Sequence, residues 1–345
     1  MNFNIDRSPY EIQISGARNV RPGSPSRRGN LIRVDFMGAP GFADLCPLPE
    51  YGHAPVEDIL NHPKHFLFQR SLQLALHDGQ ARRNSENLLL GMEQIQSHLT
   101  YLDQEANGEL PRPDDRTSKI KIKMGAFAQA LGRPDRKQFF LNEIARIEEL
   151  ARRDWILRLD SNGVLTLKEF EEFWETLSLR ARAQIEWVED PVPFHWTHWR
   201  SLVRKTPLAA DLELQRPGVE QELRKGNDVP FQFLVLKPAL MDPEKWCSWA
   251  ADRRLLLCFT SLLDHPIGQA HAMAAALKAK RDGYFLTECG LATLDLVQVN
   301  DQSFWQERIE QDDSTASVKP VIGVGWSEAL EKITWISNQV RGGLL

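Results

Sequence analysis

Lys123, Asp160, Glu189, Asp211, Lys237 and Ser261 each fall at or near the end of a short β-rich run. The runs are KIKIKMG (119–125), WILRLD (155–160), QIEWVED (184–190), PLAADLEL (207–214), FQFLVLKP (231–238) and LLLCFTS (255–261). Three successive runs thus deliver carboxylates, and the runs before and after them deliver lysines. Three carboxylates brought together repel one another unless a cation sits among them, and an all-oxygen set completed by water suits Mg²⁺, with Mn²⁺ as the alternative. A lysine ammonium is a poor base at neutral pH, but a neighbouring cation and a divalent metal both lower its pKa. Lys121, two residues before Lys123 and on the same strand face, would supply one of these effects and the metal the other. The chemistry implied is proton abstraction alpha to a metal-bound carboxylate. Any one of these residues alone would be read as a solvated or salt-bridged strand end; the order Lys, Asp, Glu, Asp, Lys carries the argument.

Such residues meet only if their strands lie side by side. Adding SHLTYL (97–102) and LATLDLV (291–297) gives eight β-rich runs, separated by amphipathic stretches such as 138–152, with Phe140, Ile144, Ile147 and Leu150 on one face, and 167–180. Strands alternating with helices predict a parallel sheet closed into a β/α barrel, where polar residues at the C-terminal strand ends form the site. An open doubly wound sheet is the alternative. The first 94 residues differ: NLIRVDFMG (30–38) alternates as a strand, CPLPEYGHAP is a Pro-rich loop, and 56–92 is largely helical.

Composition narrows the partners. A net charge of -5, with basic residues spread along 345 positions, argues against nucleic acid. No apolar run approaches the roughly 20 residues of a membrane span, and the acidic, polar start lacks the apolar core of a signal peptide. Cys46, Cys247, Cys258 and Cys289 show no CxxC spacing, as expected of reduced thiols in a cytoplasmic protein. The expected partner is a small-molecule carboxylate. The sequence is silent on oligomeric state, and a monomer is compatible with it.

The constellation resembles the enolase superfamily, its muconate-lactonizing subgroup, and within that the o-succinylbenzoate synthases. KIKIKMG matches the KxK strand, LRLDSNG and WVEDP the first two metal ligands, LAADLEL the third, LVLKPAL the second lysine, and FTSLLDHPIG and GLATLDL the last two strands. RRGNLIRVDFMGAPGFADLCPLPEYG resembles the start of the capping domain. The resemblance implies a modified TIM barrel, (β/α)7β, over 95–304, with an α+β capping domain built from 1–94 and about 305–345. It implies Mg-dependent dehydration of 2-succinyl-6-hydroxy-2,4-cyclohexadiene-1-carboxylate to o-succinylbenzoate, through an enediolate. Lys123 would take and return the proton, Lys237 would face it as a cation, and Asp160, Glu189 and Asp211 would hold the metal. Lys121 and Arg158 would tune these groups electrostatically, and Ser261 and Gly290 match positions that contact the succinyl arm. Glu213 is the competitor of Asp211 for third ligand. The capping segment departs from its kin in reading GFAD where GWGE is usual. N-succinylamino acid racemase, dipeptide epimerase and muconate cycloisomerase share the chemistry. The lone Asp295 in GLATLDL, where an epimerase would show DxD, weakens the second of these.

Other signals point elsewhere. RLDSNGVLTLKEF has the spacing of part of an EF-hand loop, but Arg158 would occupy its first ligand position, and a cation does not bind calcium; a non-catalytic calcium module is therefore disfavoured. Thr166 and Glu169 form a capping box for the next helix instead. His62/His65 and His195/His198 lack the glutamate of HExxH, Trp187, Trp196 and Trp199 are expected to pack helices, and GVGWSE is read as a loop entering the C-terminal capping segment. The basic segment 17–29 is expected to lie as a lid over an anionic substrate.

Overall fold

Seven parallel strands form one curled sheet in the computed structural model, which describes residues 5–14, 26–101, 113, 118–124, 136–226, 228–299 and 322–338. An N-terminal antiparallel sheet comes first in the chain: β1 (Ile5–Ile14), β2 (Ser26–Phe36) and β3 (Ala39–Leu45). The parallel strands follow as β4 (Leu99–Tyr101), β5 (Lys119–Lys123), β6 (Ile156–Asp160), β7 (Ile185–Glu189), β8 (Leu208–Ala210), β9 (Phe233–Leu236) and β10 (Leu256–Phe259). They are neighbours in chain order, each adjacent pair parallel.

Residues 286–290 close the barrel. Leu286 and Gly290 bridge in parallel to Leu257 and Thr260 at one edge, and Cys289 bridges to Ser97 at the other. His98 N–H donates to the Cys289 carbonyl at 2.9 Å and Gly290 N–H to the Phe259 carbonyl at 2.8 Å. The eighth strand therefore precedes LATLDLV. Residues 294–296 form a 3₁₀ turn, and β11 (Val297–Val299) leaves the barrel to pair with β1, as does β12 (Ile336–Asn338).

The barrel strands are buried on both faces, as a helix-covered parallel sheet requires, and so read as Leu/Val/Ile runs. All four residues of β9 are buried. The helix Arg136–Arg152 turns Ile144, Ile147 and Leu150 inward, and Phe140 meets Phe173 edge-on at 6.0 Å. The stretch read as one helix over 167–180 is two, Leu167–Thr176 and Leu179–Gln184, because Ser178 caps the second by accepting from Ala181 N–H. The first carries the Thr166–Glu169 capping box. Likewise, 56–92 resolves into Val56–Leu60, Phe66–Arg83 and a 3₁₀ turn at Met92–Gln94.

Asp44, in the segment GFAD, ties the antiparallel sheet to the barrel. Its carboxylate accepts from the Tyr10 hydroxyl at 2.6 Å and from the His265 N–H, at the start of the helix Pro266–Arg281, at 3.1 Å. Arg27 on β2 donates to the carbonyls of Leu262 and Leu263, the latter at 3.0 Å. Of the segment expected to form a lid, residues 26–29 belong to β2 and 17–25 lie outside the described residues. GVGWSE does lead into a C-terminal helix, Ser327–Lys332, just before β12.

Candidate active site

Register brings the acidic residues together. Across the sheet Lys123 is the Cα partner of Asp160, and Asp160 of Glu189. Glu189 pairs with Ala209, and Asp211 stands two residues further along, on the same face by the period of two. Lys237 follows the last residue of β9. Four sheet positions separate β5 from β9 in an eight-position barrel, so Lys123 and Lys237 come from opposite sides.

All three carboxylates are buried, and ammonium groups stand among them. Lys121 Nζ lies 2.9 Å from Asp160 Oδ2 and 2.7 and 2.8 Å from the Glu189 oxygens; Lys123 Nζ lies 2.8 Å from Asp160 Oδ2; and Lys237 pairs with Asp211. Burial alone would push the Asp160 carboxyl up, but Lys121 and Lys123 overcome it and hold the group well below the usual carboxylate range. Glu189 is driven the other way, by burial and then by repulsion from Asp160 and Asp211, against the pull of Lys121 and Lys237. The two shifts share one cause: three like charges crowd a dry site, and Asp160 has two ammoniums in contact where Glu189 has one. Lys121 resists its own burial because all three carboxylates surround it, which raises its pKa well above that of a free lysine. Lys121 is thus a fixed cation in this arrangement.

Glu213, the competitor for third ligand, turns away. It accepts from Phe194 N–H and pairs with Arg216, which leaves Asp211 beside Lys237.

A second layer supports the first. Arg158, buried beneath Asp160, lays its guanidinium 3.8 Å from the Trp187 ring centroid and donates at 2.6 Å each to Glu186, the Glu288 carbonyl and His98 Nδ1. Lys119 completes the layer with Glu186 and Glu288, each at 2.6 Å. Trp187 was expected to pack a helix. It sits inside the barrel instead, because its strand position alternates with Val188 and so faces Arg158 and Phe233.

One pocket opens above these groups. Lys121, Lys123, Lys237, Ser261 and Gly290 line it, as expected of site residues, while Asp160, Glu189 and Asp211 lie behind the lysines. Sequence reading missed its other walls: Arg27, Leu48 and Tyr51 from the N-terminal part, His98 and Thr100 from β4 and its approach, and Thr260 and Thr293. The alternation S-H-L-T in SHLTYL put His98 and Thr100 on one face and was the available signal. Ser261 is held in place, its hydroxyl 2.9 Å from Thr293 Oγ1 and accepting from Leu263 N–H.

Does this donor set fit a divalent cation? Among the described residues no three acidic, His or Cys side chains already stand in the spacing of a metal cage; the ammoniums of Lys121, Lys123 and Lys237 occupy the interior positions. The chemistry of the donors does fit: three carboxylates on adjacent strands, and a buried Asp211 Oδ1 with no hydrogen-bond partner. Neither His pair joins them. The His195 and His198 rings pack on each other at 4.5 Å, and His65 caps the helix Phe66–Arg83.

Comparison with known proteins agrees with this geometry. Residues 5–81 match the family model described as O-succinylbenzoate synthase, N-terminal domain. An o-succinylbenzoate synthase of Bdellovibrio bacteriovorus is 29% identical over 346 residues, covering 98% of this chain and 99% of that protein. Muconate lactonizing enzyme from Pseudomonas fluorescens, solved with muconolactone, superposes with a TM-score of 0.62 at 15% identity, over 86% of this chain and 90% of that one. Dipeptide epimerase from Enterococcus faecalis, solved with Mg and the dipeptide L-Leu-L-Tyr, gives 0.61 at 14% identity, over 94% and 99%. The last two show the fold, including its closed barrel and sheet cap. This chain is therefore an enzyme whose residues 5–81 match the O-succinylbenzoate synthase N-terminal domain, whose barrel has the fold seen in muconate lactonizing enzyme, and which is similar along nearly its whole length to an o-succinylbenzoate synthase.

Proposed function

We propose that the protein dehydrates 2-succinyl-6-hydroxy-2,4-cyclohexadiene-1-carboxylate to o-succinylbenzoate, a hydro-lyase step of menaquinone synthesis, with Mg²⁺ as cofactor and in the cytoplasm. The observation that carries this reading is the pair of lysines on opposite sides of three buried carboxylates, in a chain similar throughout to an o-succinylbenzoate synthase.

Asp160, Glu189 and Asp211 are the residues that would hold Mg²⁺, and the bound ion would supply Lewis-acid polarisation of the substrate carboxylate. Lys123, the least buried of the three lysines of β5, takes the proton alpha to that carboxylate. The electron pair of the broken C–H bond forms a double bond to the carboxylate carbon, the charge gathers on the two carboxylate oxygens as an enediolate, and Lys237, facing from the other side, balances it. The ring C–O bond then breaks, and the ammonium of Lys123 returns its proton to the departing hydroxyl, which leaves as water. Base and acid are one group, so both events take place on one face of the ring. Lys121, held as a cation by three carboxylates, steadies Asp160 and Glu189 rather than moving a proton. Arg158 acts from below, keeping Glu186, Glu288 and His98 in place.

A racemase acting on N-succinylamino acids is the second reading, since two opposed lysines also serve proton removal on one face and delivery on the other. A side-by-side assay of the purified protein with Mg²⁺ decides between them. Formation of o-succinylbenzoate supports the proposal; racemisation without dehydration rejects it.

A further inference from the structure

His98 is a buried polar side chain of the pocket that the mechanism leaves unused. It precedes β4 on the approach to the barrel floor, is 2% exposed, and lines the pocket. Arg158 Nη1 lies 2.6 Å from its Nδ1. A guanidinium has donors only, so Nδ1 must accept, and the ring proton belongs on Nε2. Burial, then Arg158 and Lys121, keep the ring neutral, against a pull from the Glu288 carbonyl. Nε2 is itself buried and has no hydrogen-bond partner.

What stands over this N–H is the absence of a side chain. A Cβ at Gly290 would lie 3.1 Å from both His98 Nε2 and Cε1, and 2.8 Å from Thr260 Cγ2. With glycine at 290, only backbone packs against the Nε2 edge, in a wall that His98 and Gly290 share with the pocket. Thr260, whose methyl group meets the same Gly290 position, also lines the pocket, and its Oγ1 is a second buried polar atom without a partner. Two buried groups kept unpaired around one opening are costly unless a ligand oxygen meets them. Lys121 and Arg158 flank the place with positive charge, which favours an anionic oxygen.

We propose that His98 is a specificity-determining residue whose Nε2–H donates a hydrogen bond to the terminal carboxylate of the substrate's succinyl arm, with the Thr260 hydroxyl as second donor. This inference rests on the proposed substrate, with its arm on the Ser261–Gly290 side of the pocket as the family resemblance implies. Arg158 is its positioning residue, because it fixes the tautomer.

The test compares o-succinylbenzoate with 2-butyrylbenzoate, which has the same keto arm without the terminal carboxylate, by titration calorimetry in Mg²⁺. His98→Leu is expected to weaken o-succinylbenzoate binding by ~10- to 100-fold, the loss expected for a hydrogen bond to a charged group, while 2-butyrylbenzoate binds as it does to wild type. His98→Gln, which keeps an N–H near the Nε2 position, should recover most of the difference, and KM should rise more than kcat falls. Ring ¹⁵N spectra should show the proton on Nε2 and a shift of that nitrogen when o-succinylbenzoate is added. Equal losses for both ligands, no loss for either, or a proton on Nδ1 would overturn the proposal. Should wild type bind neither aryl ligand, the dehydratase reading falls. The same comparison with N-succinylphenylalanine and N-butyrylphenylalanine, which differ by the same carboxylate, then decides His98 alone.

Discussion

Asp160 and Glu189 pull in opposite electrostatic directions although they are register partners on neighbouring strands, and this asymmetry says what each needs. Asp160 is already balanced by two ammoniums, whereas Glu189 is short of positive charge until a cation arrives. Asp160→Asn, Glu189→Gln and Asp211→Asn should each reduce Mg²⁺ affinity by at least ~10-fold, since even outer-shell groups cost that much. Calorimetric titration measures it, and unchanged affinity would strike that residue from the ligand set. Arg158→Met removes a buried guanidinium that meets Glu186, Glu288, Thr287, His98 and Trp187. Breaking a buried pair by deleting one partner costs about 3–5 kcal/mol, and the low end is expected because Lys119 still holds both glutamates. Chemical denaturation reads this loss. The lysines and carboxylates were legible in the sequence because each ends an apolar run. His98 had a signal in the alternation of SHLTYL, which marks its face but not its role; Arg27 and Tyr51 had none, because a residue reaching the pocket from the cap or a loop has no strand end to mark it.

The barrel strands show how far local pattern reaches. β5, β6, β7, β9 and β10 fall within the runs read from the sequence, since a parallel strand buried on both faces is written in Ile, Leu and Val. The eighth strand was misplaced by several residues for the converse reason. Thr287 and Glu288 point at Arg158 and Lys119, so that strand looks polar, while the apolar LATLDL beyond it ends in a 3₁₀ turn. Gly290 sits where this strand meets Thr260. Gly290→Ala must push either His98 or Thr260 aside, which predicts overpacking of about 1–3 kcal/mol together with a narrowed pocket. A variant as stable as wild type by thermal melting, with unchanged KM, would refute that close fit. The helix after Asp160 gives a smaller effect: Thr166→Ala breaks the capping box and should cost about 1 kcal/mol without altering Mg²⁺ affinity.

In the molecule as a whole, the N-terminal sheet and the barrel are locked together by buried polar groups, and this makes stability depend on pH. His271, in the helix Pro266–Arg281, bonds the Phe42 carbonyl of β3 through Nε2 at 2.8 Å. Burial lowers its pKa from 6.5 to about 4. The unfolded chain therefore binds a proton in a range where the folded protein does not, and stability falls as pH drops from 6.5 towards 4. The difference amounts to roughly 3 kcal/mol at full protonation. Asp264 at the same junction acts in the opposite sense. Its carboxyl is raised to about 6, chiefly by burial, so its own contribution grows as pH falls below 6. His271→Gln should consequently flatten the acid limb of a denaturation series between pH 6.5 and 4, and an unchanged slope would remove His271 as its source. None of this junction could be foreseen from sequence, since Asp44 lies far along the chain from Asp264 and His271 and only the fold gathers them.

The central claim is that two opposed lysines over a carboxylate-bound Mg²⁺ dehydrate the succinyl-hydroxycyclohexadiene carboxylate. The most direct test is the rate of o-succinylbenzoate formation in saturating Mg²⁺ by wild type, Lys123→Ala and Lys237→Ala. The account predicts turnover by wild type and a loss of at least ~100-fold in each variant, the lower bound for removing a positioned proton-transfer or charge-balancing group. Wild-type turnover that survives Lys123→Ala would contradict it.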